Sequence, residues 1–247
     1  MDIEYLRSNL RVAFWKSFRQ FLSRPVEVTI GDTSAKFIAS ELPEYQRCSS
    51  LGGERAIVRD ILSHLKSDDT FYDIGANIGT HSCFVGRSLQ EGTLIPFEPF
   101  PPNTHRLEEN LELNDINPSV EGRALSDHDG TVSLHLTGEH VAEGGNSLVN
   151  RSGTEKVIQV ETVTGDTFVY EEGHPAPDIV KLDVEGAEKE VLRGMRQVLN
   201  ESECRAIYYE SHQDGDDVHD LLRSVGFTID TLQSRGSETH YRAEKRV

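Results

Sequence analysis

From residue 70 onward short strand-like runs alternate with helical spacing, which limits the chain to a mostly parallel sheet with helices on both faces. TFYDIG (70–75) is a compact apolar run, followed by helical spacing to about Leu89. TLIPFEP (93–99) and a helix over 101–114, entered through Pro101–Pro102, form the next unit. VEGRAL (120–125) reads as a third strand. DIVKLDV (178–184), a helix to about Leu199 and CRAIYYESH (204–212) extend the series. Residues 216–225 read as a helix, and 227–232 and 239–243 as closing strands. TVSLHL (131–136) and KVIQVETV (156–163) interrupt the pattern as an antiparallel pair around a Gly-rich loop, 137–155. The fold class is α/β, doubly wound and Rossmann-like, over 67–247.

Residues 1–66 read as an extension: a helix, a hairpin and a second helix. Leu6, Leu10, Phe14, Phe18 and Leu22 recur every four positions within 1–24, and five bases there face only two acids. Such a helix packs on the core or on a sister subunit, making a homodimer. The sharper reading is a peripheral membrane contact, its apolar face in lipid and its basic rim on anionic headgroups. Pro25 ends it, and 26–40 alternates about Gly31–Asp32 as a hairpin. Ile57, Val58, Ile61, Leu62 and Leu65 give 52–66 one apolar helical face.

A net charge of −17 repels phosphate backbones, which argues against a nucleic-acid partner. The bases are 18 Arg and only 7 Lys, an acid-rich, Lys-poor balance like that of salt-in halophile proteomes. No apolar run reaches the length of a membrane span, and the N-terminus lacks a signal peptide's continuous apolar stretch. The expected location is cytoplasmic, peripheral at the inner membrane face if 1–24 meets lipid. Cys48, Cys83 and Cys204 are odd in number and far apart, so neither a disulfide framework nor a zinc site is expected.

The chemistry concentrates at strand ends, where open α/β sheets bind ligands. Asp73-Ile74-Gly75-Ala76-Asn77-Ile78-Gly79 turns the first strand into the first helix, its glycines allowing close backbone approach and the helix start offering N–H groups to an anion. The spacing is G-x-x-x-G, not the G-x-G-x-x-G of dinucleotide enzymes. Glu98 ends the second strand, where a carboxylate can accept hydrogen bonds from adjacent ribose hydroxyls. Ser126-Asp127, after the third strand, would border an adenine ring.

The densest polar cluster is Lys181-Leu182-Asp183-Val184-Glu185-Gly186-Ala187-Glu188. Residues two apart on a strand face the same side, so Lys181 and Asp183 point together, and a cleft can raise the Asp pKa toward that of a useful base. Glu185 and Glu188 suit either substrate or the helix dipole. Tyr209-Glu210-Ser211-His212 ends the next strand and would flank the same pocket. Asp183, Glu210 and His212 have no local metal-ligand spacing, and no metal is expected. The other histidines read as surface residues.

FYDIGANIG, IPFEPFPPNTHRLEENLELN, ALSDHDG and DIVKLDVEGAEKEVLRG, in that order, resemble the FkbM family of S-adenosylmethionine-dependent methyltransferases over about 70–212. The resemblance implies a seven-stranded sheet with the last strand antiparallel, and methylation of oxygen, often on sugars or natural-product scaffolds. Carried over by position, Asp73, Gly75, Ala76, Asn77 and Gly79 would hold the methionine end of the cofactor. Glu98 would bind the ribose, and Ser126 and Asp127 would lie near adenine. The acceptor would be a small molecule or a glycan or glycolipid, with Asp183 as the first candidate for a general base and His212 the second, flanked by Lys181 and Glu210. Two other readings stand beside this one: an NAD(P)-dependent oxidoreductase on a similar sheet, and a non-catalytic nucleotide-binding module.

Overall fold

The structure, a computed structural model, describes residues 24–136, 141, 146–148, 156–211, 216–236 and 238–245. The helix expected over 1–24 lies outside them apart from Arg24, as does most of the 137–155 loop.

Strands β1 (Val26–Ile30) and β2 (Thr33–Phe37) pair antiparallel about Gly31–Asp32, with Val28, Ile30, Ala35 and Phe37 turned inward. Helix α1 (Leu42–Ser50) follows. Apolar spacing does not reveal it, because its buried positions are Glu44 and Cys48 rather than an aliphatic stripe. The Glu44 carboxylate accepts from the amides of Ser40 and Glu41 and so caps the helix. Helix α2 (Arg55–His64) buries Ile57, Val58 and Ile61, as its period predicts.

The main body runs β3 (Thr70–Ile74), α3 (Thr80–Ser88), β4 (Thr93–Phe97), α4 (Pro101–Leu113), β5 (Ala124–Leu125), β6 (Gly130–Leu136), β7 (Lys156–Val163), α5 (Gly165–Tyr170) and β8 (Ile179–Leu182). It continues with α6 (Glu188–Gly194), α7 (Arg196–Glu201), β9 (Ala206–Ser211), α8 (Asp216–Ser224), β10 (Phe227–Arg235) and β11 (Glu238–Lys245). The central sheet has the order β10-β11-β9-β8-β3-β4, with β4, β3, β8 and β9 parallel and β11 antiparallel to both neighbours.

Seven strands are expected and six form this ladder. The seventh, over 120–125, adds only a bridge from Glu121 to Phe97. The chain then turns away at Gly122–Arg123, where the Arg123 guanidinium pairs with Glu121 and Glu172. Beyond the turn, β5 joins β7 and β6 in a separate three-stranded sheet.

The helix expected through Leu199 is divided at Met195 into α6 and α7. Gly194, the last residue of α6, leaves room for the Ser126 carbonyl oxygen, which would stand 1.9 Å from a Cβ there. The turn after β5 packs directly on that backbone.

All five residues of β3 are buried, as a strand covered on both faces requires. One core holds Phe71, Ile78 and Phe84 against Val28, Phe37, Leu51 and Ile57, so the hairpin and α2 share apolar packing with the sheet. Asn110 fastens them further: it accepts from the Ile38 amide and donates to the Ile78 carbonyl, both at 2.8 Å. The opposite core stacks Tyr72, Phe97, Phe168, Leu182 and Met195. Cys48, Cys83 and Cys204 are all buried and free, and burial pushes the Cys48 and Cys204 thiols up to about 12, which keeps them protonated. Among the described residues no helix is long and apolar enough to cross a membrane.

Candidate active site

The carboxyl ends of β3, β4 and β8 open into a cavity of about 650 Å³, mouth included. The turn from β3 to α3 forms its floor. Gly75 has φ +76, and a Cβ there would lie 1.9 Å from the Asp183 carbonyl oxygen. Glycine alone lets the β3 and β8 ends meet this closely.

The turn's amides are used within the protein. Gly75 and Ala76 donate to the Phe97 carbonyl, Asn77 to Glu98, Ile78 to the Asn77 side chain and Gly79 to the Ala76 carbonyl. The N–H groups expected to receive an anion at Gly75–Gly79 therefore serve to shape the turn.

Asp73 and Lys181 support that turn from below. Asp73 is fully buried, accepts from Ser82 Oγ at 2.6 Å and lies 3.3 Å from Lys181 Nζ. Lys181 Nζ donates to the Gly75 carbonyl at 2.8 Å and stands 3.6 Å from Asp183. Burial alone would lower the Lys181 pKa, but Asp73 and then Asp183 outweigh it and hold the ammonium above its ordinary value. The ammonium group is thus a strut beneath the glycine turn as well as the partner of Asp183.

Glu98 stands at the cavity wall with Oε2 accepting the Asn77 amide at 2.8 Å and Oε1 the Phe100 amide at 2.9 Å. Burial pushes its carboxyl up to about 7 despite these two donors. Each oxygen keeps a lone pair for a further hydroxyl. Phe97, Ala124, Leu125, Leu134 and Leu148 supply an apolar wall beside it. A carboxylate beside an apolar wall has the chemistry to take the ribose hydroxyls and adenine face of S-adenosylmethionine.

Ser126 and Asp127 are not among the residues lining that cavity. Ser126 is buried, its amide bonded to Val163 and its carbonyl against Gly194, whereas Asp127 faces solvent and meets His128 at 2.7 Å. The departure of β5 from the central sheet carries them away, and Ala124 and Leu125 take the wall instead.

Asp183 lines both this cavity and a narrower one bounded by Glu54, His81, Lys181, Tyr208, Glu210 and His240. Burial opposes its ionisation, but Lys181 first, with Arg47, His81 and His240, outweighs burial and holds the carboxyl below its usual range. This is the reverse of the rise expected for Asp183 from a cleft. The rise falls on Glu210 instead, pushed up to about 8 by burial and by Asp183 and Glu54.

Two histidines read as surface residues stand here. His81 is 3% exposed on the first turn of α3, with Nε2 3.4 Å from Glu54, and burial lowers its pKa. His240 is 7% exposed, brought opposite Glu210 by the antiparallel pairing of β11 with β9. Ligand atoms of Glu54, Glu210 and His240 lie within 4.8 Å of one another, a set that can hold a cation, although no metal is expected from local spacing. His212 lies outside the described residues. The Glu188 carboxylate accepts the Gly186 amide at 3.0 Å, the helix-start role for that residue, while Glu185 lines the larger cavity at φ +55. Glu54, His240 and Arg47 escape a reading by motif because none adjoins one, and His81, two residues past Gly79, carries no sign of the Glu54 it will face. Only the strand register and the packing of α1 and α2 bring them in.

The sequence matches the methyltransferase FkbM domain over residues 73–236. A hexuronic acid methyltransferase of Haloferax volcanii, AglP, is 30% identical over 87% of this chain and 86% of its own. The 31-O-demethyl-FK506 methyltransferase FkbM of Streptomyces tacrolimicus is 27% identical over 74% of this chain and 83% of its own. In fold, precorrin-6y C5,15-methyltransferase of Geobacter metallireducens aligns with a TM-score of 0.51 at 14% identity, covering 78% of this chain and 89% of that one.

Proposed function

This chain belongs to the FkbM family of S-adenosylmethionine-dependent methyltransferases, and from that premise we propose that it methylates an oxygen, hydroxyl or carboxyl, of a sugar in a glycan or glycolipid. The observation that carries the proposal is Asp183, the residue common to the cofactor cavity and its narrower neighbour. The similarity to a hexuronic acid methyltransferase, which extends beyond the family domain, supports the sugar.

Bound in the larger cavity, S-adenosylmethionine supplies a methyl group on a sulfonium whose sulfur keeps the C–S electron pair as an acceptor oxygen takes the carbon. Asp183 then has two tasks. Its carboxylate orients an acceptor hydroxyl toward the methyl carbon, and it receives the hydroxyl proton as the new O–C bond forms. General-base assistance of this kind contributes about 10²–10⁴-fold. Lys181 lowers the basicity of Asp183 but fixes its position, so alignment takes the larger share of the work. Glu210 lines the smaller cavity with Asp183, and in its ionised form it would be the stronger acceptor for that proton. A carboxyl acceptor needs the alignment and no base.

The test is transfer of an isotopically labelled methyl group from S-adenosylmethionine to a panel of neutral and acidic sugars, with position read by NMR. Label on a sugar oxygen is the expected result. Label on nitrogen or carbon, or none on any sugar by protein that binds S-adenosylhomocysteine, overturns the acceptor class and leaves the family intact.

A further inference from the structure

We infer that Arg47 is a carboxylate-binding subsite, and that the carboxylate it receives belongs to the acceptor, making that acceptor an acidic sugar of the uronic acid class. The inference rests on the sugar reading above and deepens it.

Arg47 lies on α1, ahead of the residues 73–236 that match the family domain. It lines the larger cavity beside Gly75, Glu98, Asp183 and Glu185, and it is the single Lys or Arg among the described residues that do so. Among the described residues its guanidinium makes no ion pair or hydrogen bond, and its Nε is buried. The arginines that neighbour or support the sheet elsewhere are held by carboxylates: Arg106 pairs with Glu44 and Glu109, Arg123 with Glu121 and Glu172, Arg205 with Asp69 and Asp178, and Arg242 with Asp60. Arg47 feels the field of Asp183 and Glu98 but makes no close pair with either, so its half-buried fork keeps donors that a ligand's anion can engage.

The helix that carries Arg47 is held in place. Glu44, one turn earlier, caps α1 with its carboxylate and pairs with Arg106 on α4 at 3.3 Å. The planar fork of arginine matches a carboxylate with two parallel hydrogen bonds, a geometry that a lysine does not reproduce. Glu98, Asp183 and Glu185 around it would repel an acceptor anion elsewhere in the cavity, so Arg47 also fixes which way round the sugar enters. Carboxylate chemistry has a second source here, the methionine end of the cofactor. The amides of Gly75 to Gly79 are engaged and do not compete for either source. Arg47 stands in the part of the chain outside the shared domain, which favours the acceptor.

The experiment measures binding of D-glucuronate, D-glucose and S-adenosylhomocysteine to the full chain and to Arg47→Ala, by saturation-transfer NMR and calorimetry in potassium chloride. The expected result is that glucuronate binds better than glucose to the native chain, and that Arg47→Ala weakens glucuronate by about ten- to a hundredfold while S-adenosylhomocysteine is unaffected. Arg47→Lys should recover only part of the loss. Unchanged glucuronate affinity in Arg47→Ala overturns the subsite. A loss for S-adenosylhomocysteine that disappears with 5′-methylthioadenosine, which has no carboxylate, overturns the acceptor assignment and gives Arg47 to the cofactor. If the native chain binds S-adenosylhomocysteine but neither sugar, the acceptor reading itself fails, and the inference with it. Arg47→Met, which keeps the apolar stem, replaces Arg47→Ala if the latter does not fold.

Discussion

The glycine turn and Glu98 that floor the larger cavity come from one stretch of chain, Asp73 to Glu98, whereas the narrower cavity gathers Glu54, His81, Asp183, Glu210 and His240 from five separate segments. The first is a backbone device. A glycine turn folds on the Phe97 carbonyl, Glu98 clamps the turn through the Asn77 amide, and a buried Asp73–Lys181 pair supports it. The second is a side-chain device, made of carboxylates and imidazoles whose charges set one another's protonation. A backbone device tolerates little substitution because its geometry is steric. A side-chain device can be retuned one residue at a time, and it lies where family members must differ in acceptor.

If that division is right, Asp183→Asn separates the two sides most sharply. Turnover should fall by about 10²–10⁴-fold while S-adenosylhomocysteine affinity, read by calorimetry, holds. Equal losses in both would place Asp183 with the cofactor. Gly75→Ala strikes the backbone side, adding a Cβ against the Asp183 carbonyl at a φ of +76. It should cost about 2–5 kcal/mol in urea denaturation and remove cofactor binding.

Glu98→Ala should weaken S-adenosylhomocysteine by about 1.5–3 kcal/mol at pH 8. For the native chain the affinity should decline as pH falls through about 7, where the raised Glu98 carboxyl takes up its proton, and Glu98→Gln should flatten that profile.

Glu210 tests the electrostatic side through stability. Its folded pKa of about 8 stands above the ordinary 4.5, so between those values the folded chain holds a proton that the unfolded chain has lost. Raising the pH across that window costs stability, at up to about 1.4 kcal/mol per pH unit. Glu210→Gln should reduce that slope in denaturation curves taken from pH 5 to 9, leaving below pH 7 the part that belongs to Glu98. The smallest effect belongs to Asp127→Ala. An exposed residue paired with His128 should shift stability by no more than about 0.5 kcal/mol and leave cofactor affinity unchanged. A clear loss of affinity would return Asp127 to the adenine site.

The alternation of strands and helices, the buried run of β3, the glycine turn and the acid ending β4 were all legible without coordinates. Each is a local pattern: burial on both faces of a strand, a backbone angle few residues adopt, a carboxylate a fixed distance along the chain. Ser126 and Asp127 stand outside the cavity lining, since Gly122–Arg123 diverts the strand that carries them, and a local motif gives no sign of that turn. The place of Asp183 at the end of β8 was legible but its protonation was not, because its pKa depends on Lys181 and on histidines from other elements. His81 and His240 looked like surface residues for the same reason; a lone imidazole in sequence carries no sign of what will face it. Local sequence thus determined the fold class and the glycine turn, since steric and hydrophobic patterns act over a few residues. Tertiary structure alone decided the acceptor wall, since an electrostatic environment is a sum over groups that only strand register and helix packing bring within reach of one another.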